Sequence, residues 1–320
     1  MRNSSFALLW GANMNSQGSS RPKTSMRTLM ILLAPLLCPF AIAQNEPQRP
    51  KILGIQAVVL RTSNLSAAES FYLPLVDPEN KCDICKRFPT PLFMLESGQS
   101  IHLDVSETKQ PANFLSIISF GTDDLSKLKQ YLGFHRVLFQ QRKLSEIISV
   151  LDPEGHEIVF WQEKAETKAK PPEYSLRRII HVGFVVHDRV AEDRFYKDIL
   201  GFHVYWHGGR KDDETSWVDM QVPDGTDWIE YMLNVPANAD HHTLGVMNHI
   251  ALGVPDIHAA EEQLRKNGWN GNEKPKIGRD GKWQLNLYDP DDTRIEFMEF
   301  KPTEKPCCSE FTGSHPGQHP

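Results

Sequence analysis

Two short apolar runs, each opened by a histidine, constrain this chain more than any other feature. His181–Asp188 reads HVGFVVHD and Asn248–Pro255 reads NHIALGVP. Both are rich in β-branched or small residues, a pattern that predicts buried strands. Each leads into a helical pattern, Val190–Leu200 after the first and Asp256–Trp269 after the second. Each unit then closes on a strand in which a carboxylate follows an isoleucine, WIEYMLN at Trp228–Asn234 and RIEFMEF at Arg294–Phe300. The intervals nearly coincide: Glu230 lies 49 residues after His181, and Glu296 lies 47 after His249. Strand side chains alternate between faces. His181 therefore shares a face with Gly183, His249 with Ala251 and Gly253, Glu230 with Met232 and Asn234, and Glu296 with Met298. Ile229, Tyr231, Ile295 and Phe297 point the other way, toward a helix layer. If the two units pair, the four donors line one cup.

The repetition extends through the chain. DPEGHEIVF at Asp152–Phe160 matches DPDDTRIEF at Asp289–Phe297 in register, and SFYLPLVDP at Ser70–Pro78 resembles RFYKDILGF at Arg194–Phe202. An α+β fold follows, with four βαβββ modules paired into two domains of mixed curved sheets and helices outside. Its length of 320 residues fits two domains. The expected boundaries are 52–163 and 175–301, joined by a polar, Pro-rich linker at 164–174 and followed by an irregular tail at 302–320. In the first domain the expected elements are a strand at Ile52–Leu60 and a short helix from Ser66 to Tyr72, capped by Ser66 and cut by Pro74. A hairpin turning at Ser97-Gly98, a strand at Leu115–Phe120 and a helix at Asp123–Leu132 follow. His241 and His242 read as a solvated polar loop.

Residues 1–43 stand apart. Arg21, Lys23 and Arg27 precede an apolar stretch at Leu29–Leu37 and the small-residue signal Ala41-Ile42-Ala43, the layout of a secretory signal peptide behind an upstream extension. The expectation is export, to a periplasmic or extracellular location. The apolar run is too short to span a bilayer, so no membrane association is expected after cleavage. Cys82, Cys85, Cys307 and Cys308 remain, and in an exported chain they read as one or two disulfides; three connectivities are open, among them ones that tie the tail to the first domain. A net charge of −6 without a basic run gives no footprint for nucleic acid.

A lone histidine on a strand is ordinarily a satisfied core or surface residue. Four donors at matching repeat positions are not so easily set aside. Two neutral imidazoles and two carboxylates neutralise one divalent ion, and such nitrogen and oxygen ligation suits Ni, Co, Fe, Mn or Zn.

These residues resemble the vicinal oxygen chelate superfamily, whose metal ligands come from the first and last strands of paired βαβββ modules. His181, Glu230, His249 and Glu296 occupy those positions, the pattern of bacterial glyoxalase I. The resemblance implies a glyoxalase-like lyase or isomerase that chelates a small molecule through adjacent oxygens, with Glu296 or Glu230 as the catalytic base. Val185 stands where that family carries a glutathione-binding arginine, while Asn234, Arg279 and Lys282 fall near expected contacts. The first domain lacks the set: its matching positions are Gln56, His102, Ile117 and Val159, so it is expected to be metal-free. The alternative implied by the same resemblance is an extradiol-type Fe(II) dioxygenase using His181, His249 and Glu296, with Tyr288 as a donor nearby. A non-catalytic ligand-binding protein is the third. Trp206, His207, Trp217 and Asp219 are candidate cup residues, and a homodimer is left open.

Overall fold

The computed structural model describes residues 45–75, 90–105, 115–141, 147–163 and 177–318. Residues 1–43, where a leader is expected, Cys82, Cys85 and the expected linker at 164–174 lie outside the described residues. The first half contains β1 (Ile52–Thr62), α1 (Leu65–Tyr72), β2 (Leu92–Met94), β3 (Ser100–Val105), β4 (Leu115–Thr122), α2 (Leu125–Phe134), β5 (Phe139–Gln141), β6 (Ile147–Leu151) and β7 (Glu157–Gln162). Its seven-stranded sheet has the order β2-β3-β1-β4-β7-β6-β5. The second half begins with β8 (Arg178–Val185) and α3 (Arg189–Glu192), which runs on as a π-helix over Asp193–Ile199. There follow β9 (His203–Gly208), β10 (Trp217–Gln221), β11 (Trp228–Met232), α4 (His241–Met247), β12 (His249–Val254), α5 (Ile257–Lys266), β13 (Lys276–Ile277), β14 (Trp283–Tyr288) and β15 (Arg294–Glu299). These strands form an eight-stranded sheet, β13-β14-β15-β12-β8-β11-β10-β9. Each sheet centres on an antiparallel pair, β1 with β4 or β8 with β12, flanked by parallel partners. This is the expected α+β arrangement of mixed sheets.

Local chemistry sets most element ends. Asp124, Asp188 and Asp256 each accept a hydrogen bond from a backbone N–H of the first helical turn. α1 is capped by Asn64, whose side chain accepts from Ala67 N at 3.2 Å, and not by Ser66. The hairpin turns at Gly98, whose φ of 86° is open to glycine at little cost. The expected loop at His241-His242 is instead the start of α4, because the Asp240 carboxylate accepts from Thr243 N at 2.7 Å.

The helix-facing sides of both sheets feed one apolar core. Ile229, Tyr231, Ile295 and Phe297 lie in it with Ile118, Phe120 and Phe160 of the first half. Phe120 and Phe202 meet edge to face at 5.6 Å. The repeated DP turns have a structural purpose across this core. Tyr196 Oη donates to Asp152 Oδ2, and Tyr72 Oη to Asp289 Oδ2, each at 3.1 Å. Two residues on, Glu154 accepts from His187 N and Asp188 N, while Asp291 accepts from Ser63 N and Thr62 Oγ1. Each turn therefore satisfies the strand-to-helix junction of the opposite half.

The tail after residue 301 has no regular element, as expected, but it is packed against the second sheet. Cys307 and Cys308 are bonded to each other, so neither ties the tail to the first half. Among the described residues no helix is long and apolar enough to cross a membrane.

Candidate metal centre

Register brings the four donors together. On the antiparallel β8–β12 ladder His181 faces Ala251 and Gly183 faces His249. The parallel ladders set Glu230 beside Gly183 and Glu296 beside Ala251. Each carboxylate thus stands level with a small residue, and that space is needed: a Cβ on Gly183 would lie 1.9 Å from His249 Cε1.

The two Nε2 atoms are 3.1 Å apart. Glu230 Oε2 lies 2.9 Å from His249 Nε2 and 3.7 Å from His181 Nε2. Glu296 Oε2 is 3.9 Å from both. One donor atom each from His181, Glu230 and His249 falls within 4.8 Å of the others, a grouping that could hold a metal ion. His249 Nδ1 faces the Met247 carbonyl at 3.1 Å. A carbonyl only accepts, so Nδ1 carries the proton and the Nε2 lone pair points inward. His181 packs on Trp228, with ring centroids 4.7 Å apart.

Burial holds both imidazoles well below their ordinary pKa, helped at His181 by His249 and at both by the Arg294 guanidinium, so they are neutral donors. Burial pushes the carboxyls of Glu230 and Glu296 up to about 7, against the opposing charge of Arg294. Asp219, level with Glu230 on the β10–β11 ladder, is raised well above the usual range by burial and by Glu230. The donor set attracts positive charge: Arg294 Nη2 lies 2.7 Å from His249 Nε2 and 3.9 Å from Glu296 Oε2. His181 Nδ1 and Glu296 Oε1 are buried without a hydrogen-bond partner. Two neutral imidazoles and two carboxylates that gather cations fit a divalent ion.

The centre opens into a cavity of about 300 Å³. Trp206, Trp217 and Trp228 line it together with Lys276, Arg279 and Arg294. Trp206, Trp217 and Asp219 are therefore where the sequence pattern puts them. Other candidates are not. The His207 backbone N–H is bonded to Ser309 Oγ in the tail, and the half-exposed Tyr288 ring neighbours His242. β11 ends at Met232, so Asn234 sits in a turn with φ 60°, donating to Thr215 O. Lys282 is buried behind Trp228 and does not line the cavity. Arg294 was missed, although it stands two residues before Glu296 and must share its face. Lys276 follows an irregular segment that carries no such signal.

The first sheet has the same ladder with only one of the four donor positions, that of His102, able to ligate. Ala57 faces Ser119, Val59 faces both His102 and Ile117, and Ser119 faces Val159. The counterparts of His181, Glu230, His249 and Glu296 are thus Ala57, His102, Ile117 and Val159. Gln56 is displaced by a register irregularity between Ile55 and Ala57, and its amide donates to Glu163 instead.

Residues 178–297 match the family described as the Glyoxalase/Bleomycin resistance protein/Dioxygenase superfamily. A lactoylglutathione lyase of Haemophilus influenzae is 29% identical over 129 residues, covering 40% of this chain and 96% of that protein. A homoprotocatechuate 2,3-dioxygenase of Brevibacterium fuscum, in its complex with 3,4-dihydroxyphenylacetate, superposes with a TM-score of 0.57 at 19% identity over 84% of each chain. A room-temperature structure of an extradiol ring-cleaving dioxygenase from B. fuscum gives 0.56 at 18% identity, over 82% of this chain and 75% of that one. At these identities the dioxygenases share the fold.

Proposed function

We propose that this chain, with its superfamily match at residues 178–297, is a divalent-metal-dependent enzyme of the glyoxalase-like lyase or isomerase kind. Its substrate is a small molecule with two adjacent oxygens. The observation that carries this reading is the second carboxylate: Glu230 lies 2.9 Å from His249 Nε2 and completes a set with His181 and Glu296. These four side chains would hold the ion. A divalent ion bound there supplies positive charge to two adjacent substrate oxygens and to the negative charge that develops between them. Glu230 or Glu296 is the proton carrier, because each carboxylate stands within 4 Å of the imidazole nitrogens, beside the place where the substrate oxygens would bind. The three tryptophans exclude water from that exchange. Similarity to a lactoylglutathione lyase supports the reaction kind. The buried Val185, in place of a glutathione-binding arginine, supports a substrate other than a glutathione adduct.

A second reading is an extradiol-type Fe(II) ring-cleaving dioxygenase, favoured by the two-sheet match over 84% of both chains. His181, His249 and Glu296 would then be sufficient. Glu230→Gln separates the two. In the lyase or isomerase reading activity falls on the order of 10²–10⁴-fold while ion binding persists. Cleavage of a catechol by this variant at near wild-type rate would turn the assignment to the dioxygenase. We also propose export, from the charged, apolar and small-residue order before Gln44. N-terminal sequencing of the exported protein is expected to begin near Gln44, and an intact Met1 or Met26 on a cytoplasmic product excludes it.

A further inference from the structure

β9 and β13 are the two edges of the eight-stranded sheet, and edge strands carry unpaired backbone groups. The tail, beyond the superfamily match, takes up β9 and the turn that follows β13. Along β9, Ser309 Oγ accepts from His207 N and donates to His207 O, each at 2.9 Å, and Thr312 N donates to Tyr205 O at 2.9 Å. Cys307 N donates to Arg279 O at 2.9 Å in the turn between β13 and β14. Cys307 O accepts from Trp206 Nε1 at 3.2 Å. One residue thus links β9 to the turn after β13, and its two partners, Trp206 and Arg279, both line the cavity. Arg279 continues the link, donating to Gly209 O at 3.2 Å and contacting Cys308 Sγ at 3.6 Å.

Behind the wall, Phe311 packs on Tyr205 at 4.8 Å and on the Lys282 ammonium at 5.2 Å. Lys282 lies 4.4 Å from Trp228, the residue that packs on His181. Tail order therefore reaches the donor set through contact. Cys308 has a φ of 72°, a left-handed conformation uncommon for a side chain of this kind, and the bond to Cys307 spans that residue. Cys308 is exposed, Cys307 half-buried.

We propose that the Cys307–Cys308 disulfide is a redox-operated latch on the cavity wall. Oxidised, it holds Cys307 between β9 and the turn after β13 and keeps Trp206 and Arg279 in place. A dithiol reductant opens it: one thiolate attacks the exposed Cys308 sulfur and Cys307 leaves as thiolate and takes up a proton. The second thiol of the reagent then closes its own disulfide and releases the Cys308 thiol, so two electrons and two protons pass to the protein. Free of its cross-link, Cys308 leaves the left-handed region and the hydrogen bonds of Cys307 to β9 and to the turn after β13 loosen.

Hydrogen exchange of the whole chain, with and without a dithiol under native conditions, tests this. Reduction is expected to speed exchange about ten-fold or more in 203–208 and 276–283, with β1 and β4 unchanged. Cys307→Ser/Cys308→Ser is expected to behave as the reduced chain, and Cys82→Ser/Cys85→Ser to keep the full response. Equal exchange in both states, with thiol counting showing residues 307 and 308 reduced, overturns the latch, as does loss of the response in Cys82→Ser/Cys85→Ser. Release of a bound divalent ion to a chelator is expected to become several-fold faster on reduction. That last readout rests on the proposed metal site, whereas hydrogen exchange decides the latch even for a chain that binds no ion.

Discussion

β1 and β8 each pair in parallel with the last strand of their own module and antiparallel with the first strand of the next, so both sheets have the same four-strand centre. On it the second sheet carries His181, Glu230, His249 and Glu296. The first carries Ala57, His102, Ile117 and Val159. A less obvious difference lies at the crossing point. Gly183 stands level with both Glu230 and His249, and Val59 stands level with both His102 and Ile117. A donor cluster on a curled sheet needs side chains at four positions and none at a fifth. The first sheet keeps the ladder, but of the four counterpart positions only His102 carries a side chain able to ligate. The DP turns join the halves in both directions, so the half without the full donor set holds the junctions of the half that has it.

The sharpest break in this comparison is Gly183→Ala. Its Cβ would meet the His249 ring, so divalent-ion affinity measured by calorimetry is expected to fall on the order of 100-fold, with a thermal melt showing the chain still folded. Wild-type affinity in this variant would place the ion elsewhere. The converse graft, Ala57→His with Ile117→His and Val159→Glu, is expected to bind no second ion unless Val59→Gly is added.

A smaller effect separates α3 from α1. Glu192 is buried in α3, four residues before Tyr196, where α1 has Ala68 before Tyr72. Burial, then the neighbouring Asp152, raises its carboxyl to about 9. The folded state keeps a proton that the unfolded chain releases above its ordinary pKa of 4.5, so stability is lost progressively from about pH 4.5 to 9. Glu192→Gln retains the oxygen that accepts from Glu154 N at 2.9 Å and removes this cost. Denaturant titration is expected to show a gain of up to about 3 kcal/mol at pH 7, nearly absent at pH 5. A destabilised variant at pH 7 would mean that the carboxylate is charged.

The smallest effects test the clasp. Tyr72→Phe and Tyr196→Phe each delete one hydrogen bond to a buried Asp at the same distance, and each is expected to cost about 1 kcal/mol in chemical denaturation. A loss confined to one of them would show that the two junctions are not equivalent.

The amino-acid sequence by itself determined the strands, their inward faces and the four donor positions, because alternation and turn chemistry are local properties. His181, Glu230, His249 and Glu296 could be found by counting residues along their own strands. α4 was also within reach, since Asp240 three residues before Thr243 is a capping signal that the polar composition masked. Cross-strand level was not within reach. Ala57 replaces Gln56 as the counterpart of His181 because one irregularity in β1 shifts the face, and no local pattern marks it. Likewise Arg294 beside His249, the reach of Asp152 and Asp289 across the core, and Cys307 between β9 and the turn after β13 join residues far apart in the chain. Which distant side chains share a space depends on how strands register and curl, and only the tertiary structure decided that.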